Sequence, residues 1–146
     1  MKYLTCALLL TLLATVFLTG CQQDDKKTIP QGSVWKLETF DSAGEEIKVL
    51  PGTNITLRIE KENEFGGSAG CNSYAGSYER ERGDSNSISI GPIISTEKWC
   101  LNQSIMEQES RYLSALRNVS SFEVNSDHLK LFYDNGNSSL NFLRLS

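Results

Sequence analysis

Hydrophobic and polar residues alternate along several short stretches of the chain, and this pattern predicts β-strands. The clearest stretch contains Ile55, Leu57 and Ile59, with a polar residue after each of them. Successive side chains of a strand point to opposite faces, so this alternation buries one face and leaves the other in water. On this basis we predict strands at residues 34–40, 46–50, 55–60, 87–90, 121–124, 128–133 and 139–145.

Glycine interrupts the pattern at three places, and each suggests a local feature. Four glycines lie between Phe65 and Tyr78, which predicts a single strand that bulges or bends, because glycine inside a strand marks such a site. Gly91-Pro92 is expected to end the strand at 87–90, since proline cannot donate to a sheet. Asn135-Gly136 is typical of a two-residue hairpin turn.

The spacing of apolar residues predicts one helix, at residues 102–116. One side carries Ile105, Glu109, Tyr112, Leu113 and Leu116, and the opposite side carries Gln103, Gln108 and Arg111. Asn102 fits the N-cap position, where its side chain can accept a backbone N–H. Many antiparallel strands with one helix indicate an α+β fold: a bent antiparallel sheet or partial barrel packed on a single helix.

The first twenty residues have the pattern of a bacterial export signal. Lys2 supplies a positive start, and residues 4–17 contain no charge. The apolar run is too short to span a bilayer comfortably. Its ending, Leu18-Thr19-Gly20-Cys21, resembles the lipobox of bacterial lipoproteins, in which the signal is cut before the cysteine. We therefore expect a signal peptide at 1–20 and lipidation of Cys21 by acyl chains such as palmitate; a plain secretory signal or an uncleaved anchor is the alternative.

Residues 21–32 are polar and contain proline, so we expect them to form a tether between the membrane and a domain at 33–146. In such lipoproteins of bacteria with two membranes, an aspartate directly after the lipidated cysteine favours retention in the inner membrane. Gln22 stands there instead of aspartate, which favours the outer membrane with the domain facing the periplasm.

Charge narrows the class of partner. Removing residues 1–20 changes the net charge from −4 to −5, because Lys2 is their only charged residue. An acidic domain argues against nucleic acid, which requires a basic surface. It also gives no attraction to anionic lipids, so contact with the membrane is expected through the lipid on Cys21 alone.

Two cysteines, Cys71 and Cys100, remain in the expected domain. An even pair in an oxidising compartment favours a disulfide, although two buried free thiols would also fit the sequence. Closing a loop of about 30 residues would stabilise the fold by about 3–4 kcal/mol. We expect no metal site, because two cysteines and a single histidine provide too few ligands at zinc spacing.

The sequence contains no convincing catalytic constellation. His128 is the only histidine, and the dipeptide Asp127-His128 is more typical of a solvated turn. Cys71 could pair with it only as a free thiol. We therefore expect neither enzymatic activity nor a cofactor. Seven aromatic residues could line a ligand groove, but core packing is the simpler interpretation; they are Trp35, Tyr74, Tyr78, Trp99, Tyr112, Phe132 and Tyr133.

The glycine-rich segment resembles a known family signature. Residues 67–78 resemble Gly-x-x-Gly-Cys-Asn-x-x-x-Gly-x-Tyr of the META domain (DUF306), which occurs in HslJ-like heat-shock envelope proteins. Residues 95–100 are similar to the family's Thr-x-x-x-Cys segment, and residues 106–116 to its helix. Trp35 with Leu37 and the closing strands also match in order. One departure is Lys98-Trp99, where the family usually has Met-Ala before the second cysteine.

The resemblance implies a small α+β envelope domain, often lipid-anchored and linked to stress tolerance, with no established catalytic activity. Our first hypothesis is a non-enzymatic envelope stress-tolerance or binding module, with an unidentified envelope protein as partner. The alternatives are an inhibitor of a lytic enzyme such as lysozyme or of a protease, a hydrolase, and a structural spacer. We expect the functional surface on the signature segment, where small residues expose backbone: Gly67, Gly70, Asn72, Tyr74, Gly76 and Tyr78.

Overall fold

A computed structural model describes residues 28–81 and 86–146 of the chain. The predicted signal peptide at 1–20, Cys21 and residues 22–27 of the predicted tether therefore lie outside the described residues. The elements run in chain order β1 (Val34–Ser42), β2 (Glu45–Lys48), β3 (Thr56–Lys61), β4 (Glu64–Ser68), β5 (Ser73–Arg80), β6 (Ile88–Ser95), α1 (Gln103–Arg117), β7 (Ser121–Val124), β8 (His128–Tyr133) and β9 (Ser138–Arg144).

The strands form one antiparallel sheet in the order β6-β5-β4-β3-β1-β9-β8-β7, and β2 pairs with β1 beside β3. The sheet curls into a half-barrel that packs on α1, which confirms the predicted α+β class. Its two edge strands meet only at one end, where the Ile88 N–H donates to the Ser120 carbonyl and the Phe122 N–H to the Asn86 carbonyl. Beyond that point β6 and β7 are not paired with each other.

The core lies between the concave face of the sheet and α1. It is built from the alternating apolar residues of the strands, with Trp35, Leu37, Phe40, Ile55, Phe122 and Phe142 among the completely buried side chains. Each large apolar side chain buried here contributes about 1.5–3 kcal/mol. The predicted strand pattern is therefore confirmed at the residues that form this core.

The helix is confirmed, and so is its N-cap. The Asn102 side chain accepts the Ser104 N–H at 2.9 Å, and Tyr112 and Leu116 are buried against the sheet. Gln108, which we placed on the solvent side, is buried instead. Its side chain accepts the Leu50 N–H at 2.7 Å and donates to the Thr53 hydroxyl at 3.0 Å. A loop covers this position, and its polar atoms satisfy the amide in place of water.

The single bent strand predicted between Phe65 and Tyr78 is wrong. The segment forms two strands, β4 and β5, joined by a turn at residues 69–72. Gly70 has a φ of +113° in this turn, a conformation that glycine adopts readily and other residues rarely do. The glycines therefore mark a reversal of the chain as well as close packing within the sheet.

Two other predicted boundaries are also corrected. The strand starting near residue 88 does not end at Gly91-Pro92 but continues to Ser95 across a bulge opposite Ser77. The bulge and the position of β6 at the sheet edge accommodate the missing proline N–H. The hairpin at Asn135-Gly136 exists, but its connection is a 3₁₀ turn at Asp134–Gly136 rather than a two-residue loop.

Residues 28–32, which we assigned to the tether, contact the domain. Ile29 packs against the core. The Gly32 N–H donates to the Ile59 carbonyl at 2.8 Å. The chain therefore joins the half-barrel beside the β3–β4 turn, where residues 28–31 line a surface groove together with Glu62 and Asn63.

Candidate functional site

The two domain cysteines meet at the end of the half-barrel formed by the β4–β5 turn. Cys71 in this turn and Cys100 before α1 lie at disulfide distance, with their Cα atoms 6.3 Å apart, within the usual range for a bridge. The pair links the turn to residues 96–101, which we call the apical loop. This segment joins β6 to α1 and follows the end of the sheet edge.

Asn72 connects the apical loop to the rest of the domain. Its side-chain oxygen accepts the Lys98 N–H at 2.7 Å and the Thr96 hydroxyl at 2.8 Å. Its side-chain nitrogen donates to Glu109 at 2.7 Å and to the Lys98 carbonyl at 3.4 Å. Asn72 is buried, so these bonds replace those it would make with water. Asparagine fits because its amide supplies an acceptor and donors together.

Glu109 brings α1 into the same network. Its carboxylate accepts the backbone N–H groups of Cys71 and Asn72, at 3.1 and 2.7 Å, in addition to the Asn72 amide. A buried charge is costly unless it is hydrogen-bonded, and these three N–H donors supply that compensation. The carboxylate therefore holds the β4–β5 turn against the helix, and both of its oxygens are used in these hydrogen bonds.

Two tyrosines lie below this network, in the core. The hydroxyls of Tyr74 and Tyr112 are 2.6 Å apart, and that of Tyr74 also lies 2.9 Å from the Thr56 carbonyl. A carbonyl can only accept, so Tyr74 donates to Thr56 and Tyr112 donates to Tyr74. Burial raises the pKa of Tyr112, and burial with the neighbouring Tyr112 raises the pKa of Tyr74. Both hydroxyls are therefore neutral and structural.

Two signature glycines lie where a side chain would not fit. A Cβ atom at Gly67 would overlap the Thr56 carbonyl, which belongs to the backbone of the adjacent strand. A Cβ atom at Gly76 would lie 2.7 Å from the ring of Phe65. That ring packs against Tyr74 and Tyr78, with centroid distances of 6.1 and 6.4 Å. These glycines therefore allow β4 and β5 to pack against their neighbours.

The structure thus brings most of the predicted signature residues together, but in contacts that hold the fold. Asn72 and Tyr74 are buried, Tyr78 is half-buried on the core, and Gly67 and Gly76 meet neighbouring atoms. Gly70 occupies the turn. A role of these residues in binding stays a prediction, and the surface that the network supports lies next to them, on the apical loop.

Trp99 is 81% exposed, although it is the largest side chain of the apical loop. Leu101 is fully exposed and Ile94, at the end of β6, is 72% exposed. An exposed group of large apolar side chains is informative, because solvent-facing surfaces rarely concentrate them. One sequence feature coincides with this surface: Lys98-Trp99 stands where the resembled family usually has Met-Ala. This difference did not indicate that the Trp99 side chain is exposed.

The other aromatic residues considered for a groove are distributed through the domain. Trp35, Tyr74 and Tyr112 are buried in the core, and Tyr78 and Tyr133 are half-buried against it. A small, partly open apolar cavity of about 20 Å³ lies between Ile29, Phe65 and Leu131, roughly the space of one water molecule.

Candidate catalytic and metal-binding groups do not converge in the described ranges. His128 is exposed at the start of β8. Among residues 28–81 and 86–146, no three His, Cys, Asp or Glu side chains lie close enough to hold a metal ion. No helix in these ranges has the length and apolar character needed to cross a membrane.

The described domain matches a known protein family. The sequence model of the META domain covers residues 28–146. The chain belongs to the META domain family. This confirms the resemblance drawn from the signature, whose residues form the Asn72 network and the glycine contacts of β4 and β5. The META domain accounts for the fold but comes with no assigned function, and none of the curated proteins matches the sequence.

Solved structures share the fold of this META domain. A protein from Burkholderia xenovorans, determined by NMR, has a TM-score of 0.65 at 25% identity and covers 85% of this chain and 97% of its own. A second NMR structure has a TM-score of 0.56 at 16% identity, with coverages of 77% and 89%. The crystal structure of a DUF4847 family protein from Bacteroides vulgatus has a TM-score of 0.55 at 13% identity, with coverages of 77% and 92%.

Proposed function

We propose that this META domain is a non-enzymatic binding module of the bacterial cell envelope that recognises another protein through its apical loop. In this proposal a lipid on Cys21 holds it in the outer membrane, facing the periplasm. The observation that carries the proposal is the 81% exposure of Trp99 on a loop fixed at several points. Tolerance of envelope stress, which the family resemblance suggested, is the context in which we expect it to act.

The fixed position of the apical loop supports binding. The loop is held by the Cys71–Cys100 pair and by the bonds of Asn72 to Thr96 and Lys98. A surface ordered before binding loses less conformational entropy when a partner docks. Tryptophan is also among the residues that contribute most at protein interfaces. The network therefore gives Trp99 the properties of an anchor residue.

The direction of the apical loop supports the proposed orientation. The chain joins the half-barrel beside the β3–β4 turn, and the Cys71 turn lies at the other end of β4. A strand of five residues spans about 17 Å. A lipid anchor at Cys21 would thus attach to the end of the domain opposite Trp99, leaving Trp99 free to meet a partner away from the membrane.

The engagement of the polar groups supports a non-enzymatic role. Glu109 accepts three hydrogen bonds from the turn, and Cys71 lies at disulfide distance from Cys100. A nucleophile requires a free thiol or hydroxyl with a base within reach. The side chains around the signature that could take part in catalysis are thus engaged in contacts that hold the fold.

Crosslinking in intact cells tests the proposal. The full-length chain, tagged after Ser146, is crosslinked and purified beside two variants, Trp99→Ala and Cys21→Ser. The proposal expects a reproducible protein partner that is lost with Trp99→Ala and reduced with Cys21→Ser. Leu145→Ala is the matched control, because Leu145 is also an exposed apolar residue, at 55%, but lies outside the apical loop. Absence of any partner above background contradicts the proposal.

Inhibition of a lytic enzyme is the second candidate, and the geometry of the apical loop favours it. A rigid loop with a protruding aromatic side chain is suited to insertion into an enzyme cleft. An acidic domain would also be attracted to a basic enzyme such as lysozyme. The assay measures lysozyme turnover with a molar excess of the chain. Inhibition that disappears with Trp99→Ala supports this candidate, and unchanged turnover removes lysozyme as the target.

A further inference from the structure

The outer edge of β6 presents backbone groups with no partner in the sheet. The Tyr78 N–H donates to the Asn63 carbonyl on the β4 side, so its opposite residue on β6, Ile90, turns its N–H away from β5. The Thr96 N–H donates to the Ser73 carbonyl. Hydrogen-bonded and non-bonded pairs alternate, so the neighbouring pair places the Ser95 N–H on the outer edge.

The same alternation places the Ile93 N–H outward, two residues before Ser95. The Ile88 N–H also points outward, and the Ser120 carbonyl accepts it. Beyond Ile88 the two edges of the half-barrel separate. Within the described parts of the chain, the N–H groups of Ile93 and Ser95 meet no acceptor, so this end of β6 is an open sheet edge.

The exposed apolar side chains lie at this same end. Ile94 stands between the two outward N–H groups, and Trp99 and Leu101 follow on the apical loop. Together they expose on the order of 400 Å², judged from the area that large side chains bury. Pairing with this edge uses only the three residues from Ile93 to Ser95, which suits a short extended segment of a partner.

The charge of the apical loop and the bulge in β6 further limit which kind of segment could bind at this edge. The exposed residues Glu97 and Lys98 are of opposite sign, so the loop beside this edge has no net charge and gives no preference to a charged segment. Pro92 and the bulge interrupt the edge before Ile93, which prevents pairing along the whole strand. Only the part from Ile93 to Ser95, continued by the apical loop, is open to a partner.

We propose that the Ile93–Ser95 edge of β6 binds a short, extended, uncharged segment of another polypeptide as an added strand, with Trp99 and Leu101 covering its apolar side chains. This inference rests on the proposed binding function and names its partner class. Main-chain hydrogen bonds to Ile93 and Ser95 supply the pairing, and the apolar contacts supply selectivity for alternating side chains.

A defined peptide tests the inference on the full-length chain. The probe is a fluorescein-labelled peptide of alternating valine and threonine, and its matched control carries N-methyl groups that remove the backbone donors of one edge. We expect binding of the probe, at least tenfold weaker binding of one of the two possible N-methyl patterns, and slower hydrogen exchange at Ile93 and Ser95. Emission of Trp99 should also shift to shorter wavelength when it is covered.

Three variants locate the site. Ser95→Pro removes one outward N–H, Ile94→Lys places a charge at the edge, and Trp99→Ala removes the cover. Each should weaken binding at least tenfold, while Leu145→Ala leaves it unchanged; circular dichroism and thermal unfolding verify that all are folded. Unaltered affinity in Ile94→Lys and Trp99→Ala, or no binding of the probe by the native chain, overturns the inference.

The outcome separates this inference from the proposed function. If crosslinking in cells yields a partner that depends on Trp99, but the peptide does not bind and Ser95→Pro keeps the partner, the binding function stands and strand addition is wrong. Sedimentation that shows self-association through Ile94, or Trp99-dependent binding to phosphatidylglycerol vesicles without peptide binding, overturns the inference in favour of a second copy or a lipid surface.

Discussion

Asn72 is the residue through which the β4–β5 turn, the apical loop and α1 are connected. Its amide accepts from Thr96 and Lys98 and donates to Glu109. No other side chain of this size offers an acceptor and two donors in one plane. Aspartate would place a second carboxylate against Glu109, and leucine would leave the loop donors unsatisfied. The signature asparagine is therefore explained by hydrogen bonding inside the domain.

Replacing Asn72 by alanine should lower the free energy of unfolding by about 3 kcal/mol or more, because several buried polar groups lose their partner at about 1–3 kcal/mol each. Urea unfolding followed by circular dichroism measures the change. Asn137→Ala is the matched control, since Asn137 is exposed and only its backbone forms hydrogen bonds in the described domain. Equal stability of the two variants would show that the network contributes little.

Gly67→Ala should destabilise the domain severely, and more than Gly66→Ala. The new methyl group at residue 67 would overlap the Thr56 carbonyl, so β3 and β4 must separate. At residue 66 the nearest atom, the Tyr74 carbonyl oxygen, is 3.1 Å away and a small shift accommodates the methyl group. Thermal unfolding of both variants gives the comparison. A larger loss of stability in Gly66→Ala would contradict the packing described here.

Alkaline pH should destabilise the fold through Tyr74 and Tyr112. Their pKa values are raised in the folded state, whereas tyrosines in the unfolded chain titrate at about pH 10. Below that pH both tyrosines are protonated in the folded and the unfolded chain, so they do not lower the free energy of unfolding. Above it the unfolded chain releases protons that the folded chain retains, so the free energy of unfolding falls as pH rises.

Urea unfolding between pH 8 and pH 11 measures this dependence. Tyr112→Phe should flatten it, because one of the two raised groups is removed while Tyr74 still donates to the Thr56 carbonyl. An equally steep loss of stability in Tyr112→Phe would show that other groups cause the alkaline unfolding.

At the scale of elements, the apical loop is tied to the sheet by two independent means. The Cys71–Cys100 pair joins residues 29 apart in the chain, and Asn72 holds Thr96 and Lys98 without involving either sulfur. Replacing both cysteines by serine should therefore cost about 3–4 kcal/mol of stability, as expected for a loop of this length, but leave the domain folded.

Peptide mass spectrometry of the oxidised chain tests the bridge itself. The linked peptides containing Cys71 and Cys100 should be two hydrogen atoms lighter than the sum of the reduced ones. Denaturant unfolding of the double serine variant then gives its contribution. Full alkylation of both cysteines in the native, air-exposed protein would contradict the bridge.

The elements that follow regular periodicity could be predicted from the sequence. The helix and its Asn102 cap were identified because Tyr112, Leu116 and their neighbours recur at helical spacing. The division of residues 65–78 into two strands was missed, since glycine indicates both bends and reversals. Gln108 was misplaced because a loop distant in sequence, not water, satisfies its amide. Such contacts depend on tertiary structure, which periodicity does not report.

The whole molecule places its features at two ends of the half-barrel. The chain joins the domain near the β3–β4 turn, and the apical loop with Trp99 lies at the opposite end of β4. From the sequence we expected a functional surface on the signature residues, and that role stays a prediction. In the structure the Asn72 network holds the fold, and the exposed Trp99 surface depends on the packing around it. Exposure is a property of the assembled domain, so no local pattern could have revealed it.

Site-specific photocrosslinking in intact cells tests the binding role of the apical loop most directly. A photoreactive phenylalanine derivative replaces Trp99 in one strain and Leu145, as an exposed apolar control, in another. We expect residue 99 to form a discrete adduct with one protein and residue 145 to form none. Equal labelling from both positions, or no adduct from residue 99, would contradict a binding module that acts through its apical loop.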